Sequence, residues 1–410
     1  MFFRFADPIG PMPPIHTPLL ARLQSEGWRT AAFIVLFTCD AVSRAMLLSV
    51  VPLQAYELLG EARTVSLVYF FVAFTGLFTI LVVPTVLRGL SRRLATCLAL
   101  GAQIGSVALL ASHTTTGLVC GLILQALAYA SMDVMLSLYM LDHIPRRELN
   151  QFEPRRMMIA GGSYAISPWI GVALHQNVAQ WTTYAVAAMA SLTLMAVFLA
   201  MQLQANPTMS SNTVAGTNPV KLAGRFIGQP RLLLSWILAF GRNGWWVVFF
   251  IYIPIYVTSV GYSPAVGGAL VTIGMLPLIL TPKWSRLGRR FGIRNLLSLA
   301  YGMAGIGSIS AAIAASLDMP QTSIGLFCLA ALFACMIDGA GNVPFLRAVR
   351  HYDRTAMTSI FMTFRHISPI VFPGIMAFVL SFLPLPFVFV TSGVLTLTMA
   401  VFSRFLPRSL

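Results

Sequence analysis

Apolar stretches of about 20 residues, the length that crosses a bilayer as a helix, recur along nearly the whole chain, separated by short polar loops. They centre on residues 28–53, 64–87, 94–112, 117–141, 156–177 and 180–203. After a polar interval they resume on 232–259, 264–282, 293–316, 322–346, 355–380 and 383–405. The loops alternate as well, every second one crowded with arginine and those between almost free of charge. The pattern predicts an all-α membrane protein with twelve transmembrane helices in two six-helix bundles. Composition agrees. Charged residues are 10% of the 410, against about 25% in a soluble domain, which excludes an ordinary cytosolic enzyme.

Charge then sets the orientation. With the first span running inside to outside, 23 of the 27 Lys and Arg fall on the inner side, Arg63 in an outer loop, and Arg44, Arg242 and Arg365 within spans. Basic loops resist translocation, so both termini are expected in the cytoplasm and the protein in a bacterial-type inner membrane. The net charge of +15 follows from this topology and does not point to nucleic acid. Residues 1–27 read as a cytoplasmic tail, since Pro8, Pro11, Pro13, Pro14 and Pro18 interrupt any signal-peptide core. Bundles are expected over 28–203 and 231–405, a flexible Ser-, Thr-, Asn- and Gly-containing linker over 204–230, and a short tail over 406–410. The five cysteines lie in spans without pairing or metal-ligand spacing. Trp181 and Trp284 at span ends read as interfacial anchors. Gly101-x-x-x-Gly105 and the Gly302, Gly305, Gly307 cluster read as close-packing positions.

The two halves repeat. Leu90–Arg93 matches Leu287–Arg290, Asp133 matches Asp338, Ile166-Ser167-Pro168 matches Ile367-Ser368-Pro369, and Pro52 matches Pro254. The order is kept throughout, as in a duplicated unit with small insertions. On these features the chain resembles the major facilitator superfamily of secondary transporters. That family has two six-helix bundles, a cytoplasmic linker and a basic loop after the second span, usually G-x-x-x-D-R-x-G-R-R. Both copies here keep the arginine pair, Arg92-Arg93 and Arg289-Arg290, but the acid is Arg88 in one and Ser285 in the other. In the family that acid helps lock the bundles on the inner side. Many proton-driven exporters of the family carry G-P-x-x-G-G in the fifth span. Ser167-Pro168-Trp169-Ile170-Gly171-Val172 keeps the proline and one glycine, so Pro168 and Gly171, like Pro369 in the eleventh span, read either as a functional kink or as packing.

Ionisable groups at membrane depth cost at least ~2.5–3.5 kcal/mol and mark function. Asp40, Arg44, Asp133, Arg242, Asp338 and Arg365 qualify, and five of the six fall on the first, fourth, seventh and tenth spans, which line the central cavity in the family. Asp40 and Arg44 are four apart and share a helix face. Their pair reads either as a static bridge or as a proton switch, with Asp40 taking a proton when Arg44 is drawn away. Asp133 and Asp338 read as proton or gate groups, or as helix-end caps. Arg242 precedes Asn243, Trp245 and Trp246; it reads as an anion site with aromatic support or as the partner of an aspartate. His366, beside Arg365, can titrate near neutral pH or simply hydrogen-bond a neighbour.

With no P-loop and no nucleophile–base–orienter set, neither ATP nor enzymatic catalysis is indicated, and no cofactor is implied. The reading is a monomeric, proton-coupled carrier for a small organic solute, exporting by antiport. The alternatives are uptake of an anionic metabolite and lipid translocation on the same fold.

Overall fold

A computed structural model describes residues 26–86, 91–144, 146–201, 219–340, 342–349 and 354–407. The N-terminal tail, the first part of the expected linker and the 87–90 portion of the first arginine motif lie outside the described residues.

The N-terminal half holds α1 (Glu26–Leu59), α2 (Ala62–Val86), α3 (Arg92–Ala111), α4 (Thr115–His143), α5 (Arg146–Asn177) and α6 (Thr182–Ala200). A short helix α7 (Pro219–Ile227) follows, then α8 (Pro230–Ser259), α9 (Pro264–Met275), a 3₁₀ turn (Leu276–Leu280) and α10 (Thr281–Phe291). The remainder comprises α11 (Ile293–Ser316), α12 (Pro320–Ala340), α13 (Val343–Ala348), α14 (Arg354–Phe361), α15 (Phe364–Val379) and α16 (Pro386–Ser403). Among the described residues ten helical stretches are long and apolar enough to cross a membrane, and the pair around the 57° bend between α9 and α10 makes an eleventh. Pro277 and Pro282 sit at that bend, where missing amide donors interrupt the helix ladder. Helix α5 is not among these stretches; it carries Arg146, Arg147, Glu148, Glu153, Arg155 and Arg156 in its first third. Its apolar remainder packs on α1 and α9.

The duplication is visible in the packing. In the first half α1 packs on α5 and α6, α3 on α4 and α6, and α2 on α4; in the second half α8 packs on α15 and α16, α11 on α12 and α16, and α9 on α12. The turns repeat too. Gly60 (φ 74°) and Gly261 (φ 86°) end the first helix of each half in the left-handed region, and His113 (φ 49°) and Asp318 (φ 53°) occupy matching turns later on. The bundles meet through α2–α15, α5–α9 and α1–α8.

Buried side chains show how they meet. On the half of the molecule farthest from α7, one cluster takes in Leu47, Val50, Val65, Leu118 and Tyr184 of the first bundle together with Phe249, Tyr252, Val271, Phe327 and Phe389 of the second. On the half nearest α7 the cores are separate, one around Phe33, Leu100, Leu136 and Phe198, the other around Leu238, Leu297, Tyr301 and Ile337. Among the described residues the buried clusters thus join the bundles on the far face and leave them parted on the linker face. Part of the expected linker is ordered. Helix α7 buries Leu222 and Phe226 against Leu232, Phe345, Phe361 and Phe364, so a flexible tether does not describe residues 219–227.

Glycine and tryptophan sequence signals divide. Gly305 packs against the backbone of Gly393, and Gly307 against Ala330, whereas a Cβ at Gly101 or Gly302 would meet nothing within 4 Å. Those two glycines are not packing positions. Trp181 is exposed, as an interfacial residue is. Trp284 is not an anchor of that kind; its Nε1 donates to the Pro277 carbonyl (3.2 Å) and its side chain packs on Gly339.

Candidate functional site

Near the middle of α1, Asp40 and Arg44 stand one turn apart, and Arg44 joins them to α4. Its Nε lies 2.9 Å from Asp40 Oδ2, its Nη2 2.9 Å from Asp133 Oδ1, and the same Nη2 donates to the Tyr129 carbonyl at 3.2 Å. The guanidinium also sits 4.3 Å from the Tyr129 ring centre, one turn before Asp133, where planar stacking suits arginine. The contact with Asp40 is a close, buried ion pair along one helix face. Asp40 is 7% exposed, while the Asp133 side chain is 53% exposed on the parted, linker-face half. Among the described residues one guanidinium therefore serves two carboxylates, and the triad has one negative charge in excess.

That excess has a location. Asp40 Oδ1 has no hydrogen-bond partner among the described residues, and neither does Gln103 Oε1 on α3. Gln103 is fully buried, donates from Nε2 to Ser43 Oγ (3.2 Å), and Ser43 Oγ meets Ser191 Oγ at 2.8 Å. Gln103 thus ties α3 to Ser43 of α1 and, through it, to Ser191 of α6. Buried oxygens without partners are costly.

The second bundle carries the related arrangement. Arg242 on α8 lies 3.3 Å from Asp338 Oδ1 on α12 and donates to Asn342 Oδ1 at 3.2 Å. Trp246 Nε1 donates to Asp338 Oδ2 at 2.8 Å. Both carboxylate oxygens are partnered and the pair is neutral. A small cavity of about 10 Å³ beside Arg242, Tyr301 and Asn342 has room for one water. Position 238, one turn before Arg242 as Asp40 is one turn before Arg44, is a buried leucine.

The sequence-selected residues separate accordingly. Asp40, Arg44 and Asp133 form one cluster; Arg242, Asp338 and Trp246 form another. Trp245 does not belong with the cavity residues. It is 4% exposed and bonds Ser308 of α11 at 3.1 Å, because its ring leaves α8 on the side facing its own bundle. Asn243 is half-buried. Arg365 is exposed on α15, 5.9 Å from the Phe364 ring, which Arg242 also approaches at 5.8 Å. His366 lies within electrostatic reach of Asp133 across the parted half.

Pro168 and Gly171 stand where three helices converge. A Cβ on Gly171 would strike the Met46 carbonyl, and Gly268 of α9 packs on Val172 and the Pro168 carbonyl. Pro369 is half-buried in α15, where Ser368 Oγ bonds the Phe364 (2.7 Å) and Phe240 (3.2 Å) carbonyls. Of the basic loops, Arg93, Arg289 and Arg290 are exposed, and the Arg92 side chain lies outside the described residues. Ser285, at the missing acid position, donates to the Gly339 carbonyl (2.8 Å) within its own bundle. Sequence reasoning does not select Tyr129, Gln103 or Asn342. Tyr129 and Asn342 each lie one helical turn from an aspartate already singled out, which is the signal that finds them.

Neutral hydrogen bonds close the far face. Ser66 Oγ meets Tyr252 Oη at 2.6 Å. Gln176 Oε1, at the end of α5, accepts from Ala265 N (3.0 Å) and Ser263 Oγ (3.1 Å) at the start of α9.

A family-level comparison matches residues 33–346 to the Major Facilitator Superfamily. Among solved structures the chain is similar to a POT family transporter in complex with 5-aminolevulinic acid (11% identity, 91% of this chain and 94% of that one, TM-score 0.69). It is similar also to the nucleoside transporter NupG (12%, 91% and 97%, 0.68) and to a bacterial homologue of the iron transporter ferroportin in an inward-facing state (13%, 94% and 100%, 0.67). Identities this low speak to the fold alone. Among curated proteins no match is found.

Proposed function

Because the chain belongs to the Major Facilitator Superfamily, we propose that it is a proton-coupled carrier that exports a small organic solute by alternating access. The observation that carries this reading is the surplus negative charge of the Asp40–Arg44–Asp133 triad, seated at an unpartnered, buried carboxylate oxygen.

The proton resides on Asp40 while Arg44 is divided between two acids. A solute entering from the linker face meets Asp133, the exposed member. As it takes over the Asp133 carboxylate, Arg44 is freed to serve Asp40 alone, which favours the charged form of Asp40 and releases its proton. Rocking of the bundles then breaks the far-face hydrogen bonds and carries the solute out. On the opposite face the solute leaves, Arg44 is shared again and Asp40 takes up a proton. Arg44 and Arg242 are both engaged by carboxylates, so the solute class is neutral or cationic. Arg365, exposed on α15, is what favours the alternative, uptake of an anion. The linker face, with its basic loops, faces the cytoplasm of a bacterial-type inner membrane, Arg92, Arg93, Arg289 and Arg290 acting there as gate groups. The working unit is a monomer.

The test uses full-length protein in proteoliposomes under an imposed pH gradient, with panels of cationic, neutral and anionic organic solutes. Solute-induced proton movement is expected with a member of the first two panels and is lost in Asp40→Asn. Proton movement driven by anions alone, and lost in Arg365→Gln, replaces export with uptake. Undiminished movement in Asp40→Asn removes that carboxylate from the mechanism.

A further inference from the structure

On the outer flank of the second bundle, away from both charge clusters, a groove of about 580 Å³ runs along α11 beside the end of α16. Its mouth at the linker face holds Arg294, Ser298 and Arg404; its deeper part is walled by Leu299, Gly302 and Ile306. The residues of α11 that pack inward are Leu297, Ala300, Tyr301, Ala304 and Ser308, so the groove opens outward, to lipid. Leu299 and Ile306 are more than half exposed there.

Three observations converge on this groove. First, neither Arg294 nor Arg404 is ion-paired among the described residues; Arg404 makes a long contact to Ser298 Oγ (3.5 Å). Two guanidinium groups at headgroup depth suit a phosphate, which accepts from several donors at once. Second, Arg294 and Ile306 are twelve residues apart on one helix, about 18 Å, and one leaflet of hydrocarbon is about 15 Å deep. Third, Gly302 has no neighbour that requires it, since a Cβ there would meet nothing within 4 Å. A mid-helix glycine costs roughly 1 kcal/mol relative to alanine. Here its missing side chain is what keeps the groove continuous.

We propose that this groove is a binding site for an anionic phospholipid. The phosphate is held between Arg294 and Arg404, and one acyl chain lies over Gly302 against Leu299 and Ile306. The site is independent of the transport reading; it needs only a helix in a bilayer.

Native mass spectrometry of the detergent-solubilised full chain tests it, with phosphatidylglycerol, phosphatidylcholine and inorganic phosphate as probes. Phosphatidylglycerol is expected to bind in preference to phosphatidylcholine, with affinity falling about 5-fold in each of Arg294→Gln and Arg404→Gln. Gly302→Leu, which fills open space and raises helix propensity, keeps the protein folded and excludes the lipid while both arginines remain. Equal binding of the two lipids, binding of phosphate alone, or unchanged lipid binding in Gly302→Leu overturns the proposal.

Discussion

The two bundles are copies with one decisive difference. Each places an arginine from its first helix against an aspartate from its fourth, Arg44 to Asp133 at 2.9 Å and Arg242 to Asp338 at 3.3 Å. In the second bundle the pair is neutral and finished, with Trp246 and Asn342 supplying the remaining hydrogen bonds. In the first, Asp40 adds a second carboxylate one turn before the arginine, a spacing at which Arg242 has Leu238, and one oxygen is left without a partner among the described residues. Duplication provides the scaffold twice, and the added aspartate turns one copy from a structural ion pair into a site with an unbalanced charge. In low dielectric such a charge is held only by a counter-ion or a proton, and this asymmetry is what supports the proposed placement of coupling in the first bundle, with the second as a fixed brace.

Removing each arginine breaks the comparison most severely. Arg44→Met leaves Asp40 beside Asp133 without their shared cation and is expected, at alkaline pH where both are ionised, to cost ~3–5 kcal/mol of stability, the usual result of orphaning a buried charge. Arg242→Met leaves Asp338 its Trp246 hydrogen bond, and the loss is expected to be nearer ~1–3 kcal/mol. Thermal unfolding in detergent ranks the two, and an equal or reversed ranking contradicts the division of roles. Weakening the far-face closure is a gentler perturbation that acts on the seam between the bundles. Tyr252→Phe and Gln176→Ala each remove about 1 kcal/mol of hydrogen bonding and should raise about 5-fold the population open on that face. The readout is alkylation of Val65→Cys, buried in the closed form, with the native cysteines replaced. Labelling that does not change shows that the apolar cluster, not these bonds, holds the face shut.

Much of this is legible in the chain, and what is not has a physical cause. The spans, the repeat and the Asp40–Arg44 pair depend on helical period alone, which sequence displays directly. The bridge from Arg44 to Asp133 depends on how closely α1 approaches α4, which no spacing along one helix reveals. The direction of Trp245 is hidden for a similar reason. On a helix buried nearly all round, apolar periodicity does not say which side faces a cavity. Gln103 escapes notice because it stands between Gly101 and Gly105, where small residues suggest packing; in the fold Gly101 meets open space and Gln103 bonds Ser43 of α1, one turn from Asp40. Parting of the bundles on one face is a tertiary property, visible only once the buried clusters are assembled.

The claim that Asp40 alone carries the exchangeable proton is tested most directly by infrared difference spectroscopy of reconstituted protein between alkaline and acidic pH. A single protonated-carboxyl band is expected in the wild type, absent in Asp40→Asn and retained in Asp338→Asn. A band that survives in Asp40→Asn and vanishes in Asp338→Asn would place the proton in the opposite bundle and contradict the account.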